Sequence, residues 1–192
     1  TLHRHAVSPM TPTEENRIVE RVLQGEREAF AALVDAYKGA IFNLAFRMTN
    51  SYQDADDLSQ ETFIRAYRNL RQFDPRKRFF TWIYTIGLNL IRNHLKKHGR
   101  EMTRETAARN SSEAGIDQGA QAERDMMQAQ EIRRLEIGLQ KLPAYLREAV
   151  VLRFYQELSF EELATILDAS LSAVKMRVYR GLDQLKQLIN GE

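Results

Sequence analysis

Residues 158–182 read LSFEELATILDASLSAVKMRVYRGL, and the architecture follows from how that stretch divides. Ser159-Phe160-Glu161-Glu162 is a capping box, in which the serine hydroxyl accepts an amide three residues on and Glu162 reaches back to the serine amide. Leu163, Ala164 and Leu167 give this short helix an apolar side. Asp168-Ala169-Ser170-Leu171 forms a tight break, after which Ser172 is expected to cap a second helix. At about 100° per residue, Val174, Val178, Leu182, Leu185 and Ile189 gather on one side of it. Met176, Tyr179 and Arg180 point the other way, flanked by Lys175 and Arg177. Charge divides the same way: Glu157 to Asp168 holds four acids and no base, and Ser172 to Lys186 holds four bases and one acid. A short helix, a tight turn and a longer helix with basic first turns make the helix-turn-helix pattern, whose second helix presents its N-terminal part to the major groove. A helical hairpin with solvated charges has the same periodicity, but it needs no such difference in sign between its helices.

Upstream, nearly every apolar stripe also has helical period and no alternating strand pattern appears. Thr13 to Leu23 is a short helix ended by Gly25. Phe30, Leu33, Val34, Tyr37, Ile41, Leu44, Ala45 and Met48 mark a long helix closed near Asn50-Ser51. Gln53 to Leu70 is a third, with Ala55, Leu58, Thr62, Ala66 and Leu70 on one side. Pro75 disfavours helix at Asp74 and interrupts the pattern, and a fourth helix runs from Thr81 to about Lys97. From Ile86 to Ala144 there is no aromatic residue, and 110–119 reads NSSEAGIDQG, which has little to bury and reads as a flexible linker. Helical pattern resumes near Ala129, with Ile132, Leu135, Leu139 and Leu142 before Pro143. The expectation is an all-α chain of two small helical domains, 13–98 and 130–190, joined by a linker over 99–129.

With 192 residues and a net charge of +2, the chain has room for two small cores and no strong overall bias. It has no cysteine, which excludes disulfides and thiolate metal sites and suits a reducing cytoplasm. His94 and His98 are i, i+4 on a helix, but no Asp or Glu stands near them in sequence, so no metal site is expected. No run approaches the roughly 20 apolar residues of a membrane span, and no signal peptide is visible. No nucleophile set or phosphate loop appears, so the chain reads as a soluble cytoplasmic protein that is not an enzyme and needs no cofactor. The chain opens on Thr1, and the expected fold begins after about Met10.

The modest net charge hides a local reversal. Thr13 to Ile64 holds ten acids against five bases, whereas Arg65 to Arg100 holds ten bases and one acid, Asp74. Phe73, Phe79, Phe80, Trp82 and Tyr84 crowd into the basic stretch. Cationic side chains interleaved with rings suit a phosphate backbone whose bases can be unstacked onto a π-face; a basic surface over core aromatics is the plainer alternative. On the fourth helix Ile83, Ile86, Gly87, Leu90 and Ile91 project to the buried side. Trp82 projects with Thr85, Asn89, Arg92, Asn93 and Lys96 on the polar side, where stacking on an unpaired base explains it and inter-domain packing is the competing account. On the third helix Asp54, Asp57 and Glu61 share a face opposite the apolar stripe, readable as a partner-docking face or as solvated charge pairing.

These segments carry a resemblance. Residues 54–68, DADDLSQETFIRAYR, followed by Phe79-Phe80-Thr81-Trp82-Ile83-Tyr84-Thr85-Ile86 and Asn89, are similar to region 2 of bacterial RNA polymerase σ factors. Leu158-Ser159-Phe160-Glu161-Glu162-Leu163-Ala164 and Val174-Lys175-Met176-Arg177-Val178-Tyr179-Arg180 are similar to region 4. A chain with only these two regions resembles the extracytoplasmic-function (ECF) group. The resemblance implies that Asp54, Asp57, Gln60 and Glu61 bind the β′ clamp helices of core RNA polymerase, with the β flap as a further contact. It implies that Arg76, Lys77, Arg78, Phe79, Phe80, Thr81, Trp82, Thr85, Asn89, Arg92 and Lys96 melt and capture the −10 element. Ser172, Lys175, Met176, Arg177, Tyr179 and Arg180 would read the −35 element, and the linker would thread through polymerase. An anti-σ factor would hold the protein in check, in a stress or envelope response. Many family members carry Gly-Thr where Ser172-Ala173 stand and a small polar residue where Met176 stands. Methionine cannot hydrogen-bond a base edge usefully, so the −35 preference is not carried over. Two other readings compete: a σ-like decoy that binds an anti-σ factor and never touches DNA, and an ordinary helix-turn-helix regulator with a helical sensor domain. The decoy would be expected to lose the basic recognition helix. The regulator leaves the Asp54–Glu61 face unexplained.

Overall fold

A computed structural model of the chain describes residues 10–105 and 123–191, with side chains described for 10–98 and 130–191. Eight α-helices account for most of it: α1 Pro12–Leu23, α2 Phe30–Thr49, α3 Tyr52–Arg68, α4 Phe79–Glu105, α5 Glu123–Lys141, α6 Ala144–Val150, α7 Phe160–Leu167 and α8 Leu171–Asn190. No strand occurs among the described residues. The expected linker centre, 110–119, lies outside them. Helix α4 runs past the expected Lys97 to Glu105, and α5 begins at Glu123, ahead of Ala129.

The sequence punctuates these helices in readable ways. Thr11 and Glu14 form a capping box at α1, with Pro12 in the first turn where a missing amide costs nothing. Asn50 closes α2 in the left-handed region at φ 55°, and Ser51 then caps α3 by accepting from the Asp54 amide. In the first half the apolar stripes of α2, α3 and α4 meet: Leu33, Ile41, Leu44, Met48, Ala55, Ala66, Ile83 and Leu88 are fully buried. The segment 27–49 is apolar and long enough to cross a bilayer. Its apolar side chains instead form this core.

The second half packs α6, α7 and α8 around Leu146, Val150, Leu163, Ile166, Val174 and Val178. Helices α6 and α8 approach closely because Gly181 has no side chain; a Cβ there would lie 2.6 Å from Val150 Cγ2 and 3.4 Å from the Leu146 carbonyl oxygen.

The halves also pack on each other through a continuous buried cluster. The α2 C-terminus shows how. Its last carbonyls lack partners inside the helix. Arg147 donates to the Met48 oxygen at 2.8 Å and Gln140 to the Arg47 oxygen at 2.8 Å, so two side chains of the second half close a helix of the first. Arg47 lies 3.6 Å over the Tyr155 ring in the same seam. Burial pushes the Arg147 guanidinium below its ordinary range.

Candidate nucleic-acid interface

Helix α8 is set on α7 by the predicted turn. Ser159 and Glu162 form the capping box of α7, and Asp168 ends it in the left-handed region at φ 48°. The cap of α8 differs from the sequence expectation: Ser170, not Ser172, accepts from the Ala173 amide at 3.3 Å, and Ser172 lies inside the first turn with its hydroxyl 3.1 Å from Ser170 Oγ. The cap sits two residues early because the left-handed Asp168 already reverses the chain. Ser172, Lys175, Met176, Tyr179 and Arg180 are exposed and Arg177 is half-buried. Met176 and Tyr179 stand 49% and 58% exposed, which puts apolar surface on the same face as these basic residues. Lys175 Nζ lies 5.6 Å from the centre of the Phe160 ring, which keeps its charge at the helix entrance.

The basic aromatic block divides into a turn, a buried pair and a rim. In the turn, the Arg76 guanidinium donates to Asp74 at 2.9–3.2 Å, and this hydrogen bonding holds the Asp74 carboxyl down at about 2. Arg76 and Lys77 project into solvent while Arg78 is half-buried. Glu15, on α1, is fully buried and accepts from the Tyr37 hydroxyl and from the Phe79 amide, the latter at 3.1 Å. A buried carboxylate is costly unless donors surround it, so this residue both needs and fixes the start of α4.

Here the structure corrects the sequence reading. Phe79 and Phe80 are 0% and 2% exposed and support α4 from within, whereas Thr81, 7% exposed, still borders the groove beside Trp82. Trp82 is half-buried, not exposed, with its ring 5.4 Å from that of Phe73 and 5.6 Å from that of Phe79. Helical projection places Trp82 on the polar side correctly, but it cannot see that the loop before α4 folds back and lays Phe73 against the indole. What remains of the indole borders two grooves. One runs past Lys77, Thr85, Asn89 and Arg92 to the end of α7; the other runs past Arg65, Asn69, Ile86 and Asn93. Lys96 is exposed beyond them on the same helix.

The acidic face of α3 begins beside α4, where Asp54 meets His94. Asp57 and Gln60 are exposed and Asp54 and Glu61 half-buried. Gln60 donates to Asp56 at 2.9 Å, Arg65 to Glu61 at 2.6 Å, and Asp54 lies 3.4 Å from His94. Polar pairing along and between the helices therefore engages Gln60, Glu61 and Asp54 and leaves the exposed Asp57 beside them.

Three residues that sequence reasoning missed hold the halves together. Glu148, 3% exposed on α6, accepts from Arg92 Nε at 2.8 Å and Nη2 at 2.6 Å, a two-point carboxylate–guanidinium pair. Gln156 accepts from the Tyr84 hydroxyl at 2.7 Å. Glu162, read only as a capping residue, also lies 3.4 Å from Arg78. An acid on the apolar side of α6, among Leu146, Ala149 and Val150, was the one signal available for Glu148. As arranged, Arg92 and Arg78 pair with acids of the second half, and Thr165, Ile166, Leu167 and Asp168 wall one side of the groove beside Trp82.

Comparison with known proteins agrees with the order of these parts. Residues 33–101 match the model of Sigma-70 region 2, and residues 133–185 match that of Sigma-70, region 4. The chain is 32% identical to the RNA polymerase sigma-H factor of Pseudomonas aeruginosa, over 94% of this chain and 96% of that one. It is 32% identical to the ECF RNA polymerase sigma factor SigW of Bacillus subtilis, over 88% and 93%. Among solved structures, CnrH in complex with the cytosolic domain of CnrY superposes with a TM-score of 0.68 at 26% identity, covering 93% of this chain and 99% of that one. The sigma factor RpoE of Bartonella quintana, solved with the anti-sigma factor NepR, superposes at 0.67 with 23% identity, over 84% and 96%, a likeness of fold.

Proposed function

Because the chain belongs to the σ-70 family, we propose that it is an alternative σ factor of the ECF type, a cytoplasmic initiation subunit that recruits core RNA polymerase to specific promoters. What supports this most is the presence, on one chain and in family order, of an exposed basic recognition helix and a groove where Trp82 stands beside Lys77 and Arg92. In this reading Asp54, Asp57, Gln60 and Glu61 of α3 engage the β′ clamp helices, and the second half engages the β flap. Helix α8 enters the −35 major groove, with Lys175, Arg177 and Arg180 on phosphates or bases and Met176 and Tyr179 making apolar contact. Arg76, Lys77, Thr85, Asn89, Arg92 and Lys96 line the path of the −10 strand, and Trp82 offers its free face to an unpaired base. Phe73 and Phe79 serve as the floor on which that tryptophan rests.

The closed packing bears on regulation. With Arg92 held by Glu148 and the Trp82 groove abutting α7, the halves must separate before the −10 surface is free. A protein that binds this closed form holds the factor inactive, and the solved relative CnrH was captured with the cytosolic domain of another protein. An anti-σ partner is the occupant proposed here.

Run-off transcription with purified core polymerase tests the reading. Selected promoter fragments should yield specific transcripts only when this chain is added. Binding to an anti-σ factor without any transcript indicates a decoy, and duplex binding that ignores polymerase indicates an ordinary regulator.

A further inference from the structure

We infer that Asp54, His94 and His98 form a binding site for one divalent transition-metal ion of the zinc class. In the sequence the two histidines stand four apart with no acid nearby. The fold supplies the acid from forty residues upstream, where the first turn of α3 lies against α4. The three candidate ligand atoms fall within 4.8 Å of one another.

Several features favour an ion over a plain hydrogen bond. His94 Nε2 and Asp54 Oδ2 are 3.4 Å apart. A charge-assisted hydrogen bond would draw such a pair to about 2.7–2.9 Å. Zinc–ligand bonds of about 2.0–2.2 Å place neighbouring ligands of a tetrahedron roughly 3.3–3.6 Å apart, a spacing the Asp54–His94 pair already has. The i, i+4 placement puts both imidazoles on one helical face, the spacing with which a helix presents two histidines to zinc. Ser51 Oγ accepts from the Asp54 amide at 3.2 Å, so the carboxylate sits on a capped and rigid first turn. His94 and Asp54 are 20% and 34% exposed, and His98 is exposed, which leaves an entry path and a fourth position for water. Two imidazoles with one carboxylate suit zinc, nickel or copper far better than magnesium or calcium, which want oxygen ligands. The site shares Asp54 with the face proposed to engage the β′ clamp helices, and it is tested by metal binding alone, without transcription.

The test uses the full chain with His3→Ala and His5→Ala, which removes the other two histidines as competing ligands. Titration with zinc chloride should show one ion per chain, and saturating zinc at a hundredfold excess over Kd should raise Tm by roughly 5–10 °C. Cobalt(II) should give visible bands of four-coordinate intensity that zinc abolishes. His94→Ala, His98→Ala and Asp54→Asn should each weaken zinc binding by roughly tenfold or more, as loss of a ligand exceeds the about 10–100-fold cost of losing its supporting partner, and Asp57→Asn should not. If His94→Ala proves unfolded by circular dichroism, the exposed His98→Ala decides. Zinc affinity unchanged in His98→Ala, or cobalt spectra of the hydrated ion at every concentration, overturns the site.

Discussion

Replacing Glu148 with glutamine asks whether charge holds the two halves closed. Glu148 is buried on α6, while Arg92 keeps 36% of its side chain exposed. Breaking a fully buried pair from one side costs about 3–5 kcal/mol. Water at Arg92 screens part of that, leaving about 2 kcal/mol for this pair. Of the other polar ties across the seam, the neutral Tyr84–Gln156 hydrogen bond contributes about 1 kcal/mol and the long Arg78–Glu162 pair less than about 1 kcal/mol, while the bonds from Arg147 and Gln140 to the end of α2 are untouched by the substitution. Glutamine preserves size and one acceptor, so packing around α6 is retained and the charge alone is lost. At 1.4 kcal/mol per decade, about 2 kcal/mol multiplies the open-to-closed ratio by roughly thirty. The absence of native cysteine makes the assay direct. Gln72→Cys and Lys186→Cys are at exposed positions, one in each half, and can carry a donor and an acceptor for single-molecule energy transfer. The low-transfer population should grow about thirtyfold relative to the high-transfer one, and affinity for a single-stranded −10 oligonucleotide should tighten until the open form dominates. An unchanged transfer histogram, with only a lower Tm, refutes the reasoning and confines Glu148 to the stability of the second half.

Trp82→Ala should slow open-complex formation by roughly ten- to a hundredfold, since a base–aromatic stack is worth about 1–3 kcal/mol. Because the indole also packs on Phe73 and Phe79, Tm should fall as well, and a pre-melted bubble should restore transcription only in part; full activity on duplex promoter would dismiss the stacking role. Single alanine changes at Lys175, Arg177 and Arg180 should each reduce the magnitude of the log affinity versus log salt slope by about 0.9 for every phosphate left unneutralised. Salt titration of binding to a −35 duplex measures this, and an unaltered slope at all three removes α8 from the groove. Gly181→Ala should destabilise by about 1–3 kcal/mol, because the new methyl would meet the β-branched Val150 where α6 and α8 cross. Urea denaturation checks it, and Val150→Ala should relieve most of the loss.

Helical period was enough to locate the elements and their buried stripes, because apolar spacing and caps act within a few residues of one another. The stripe from Phe30 to Met48, the Ser159–Glu162 capping box and the exposed side of α8 are all legible without coordinates. So was the resemblance, since its motifs are contiguous. Period says which side of a helix is turned inward, not what it meets there. The burial of Phe79 and Phe80, the seat of Trp82 on Phe73, the bond from the Phe79 amide to Glu15, the Arg92–Glu148 pair and the approach of Asp54 to His94 join residues up to 64 positions apart in the chain. Those meetings depend on how α1, α3, α4 and α6 cross and on the path of the loop before α4. A charge on a helix surface finds its partner only after the helices have packed, which is why the acids and bases were visible in the sequence and their pairings were decided by the tertiary structure.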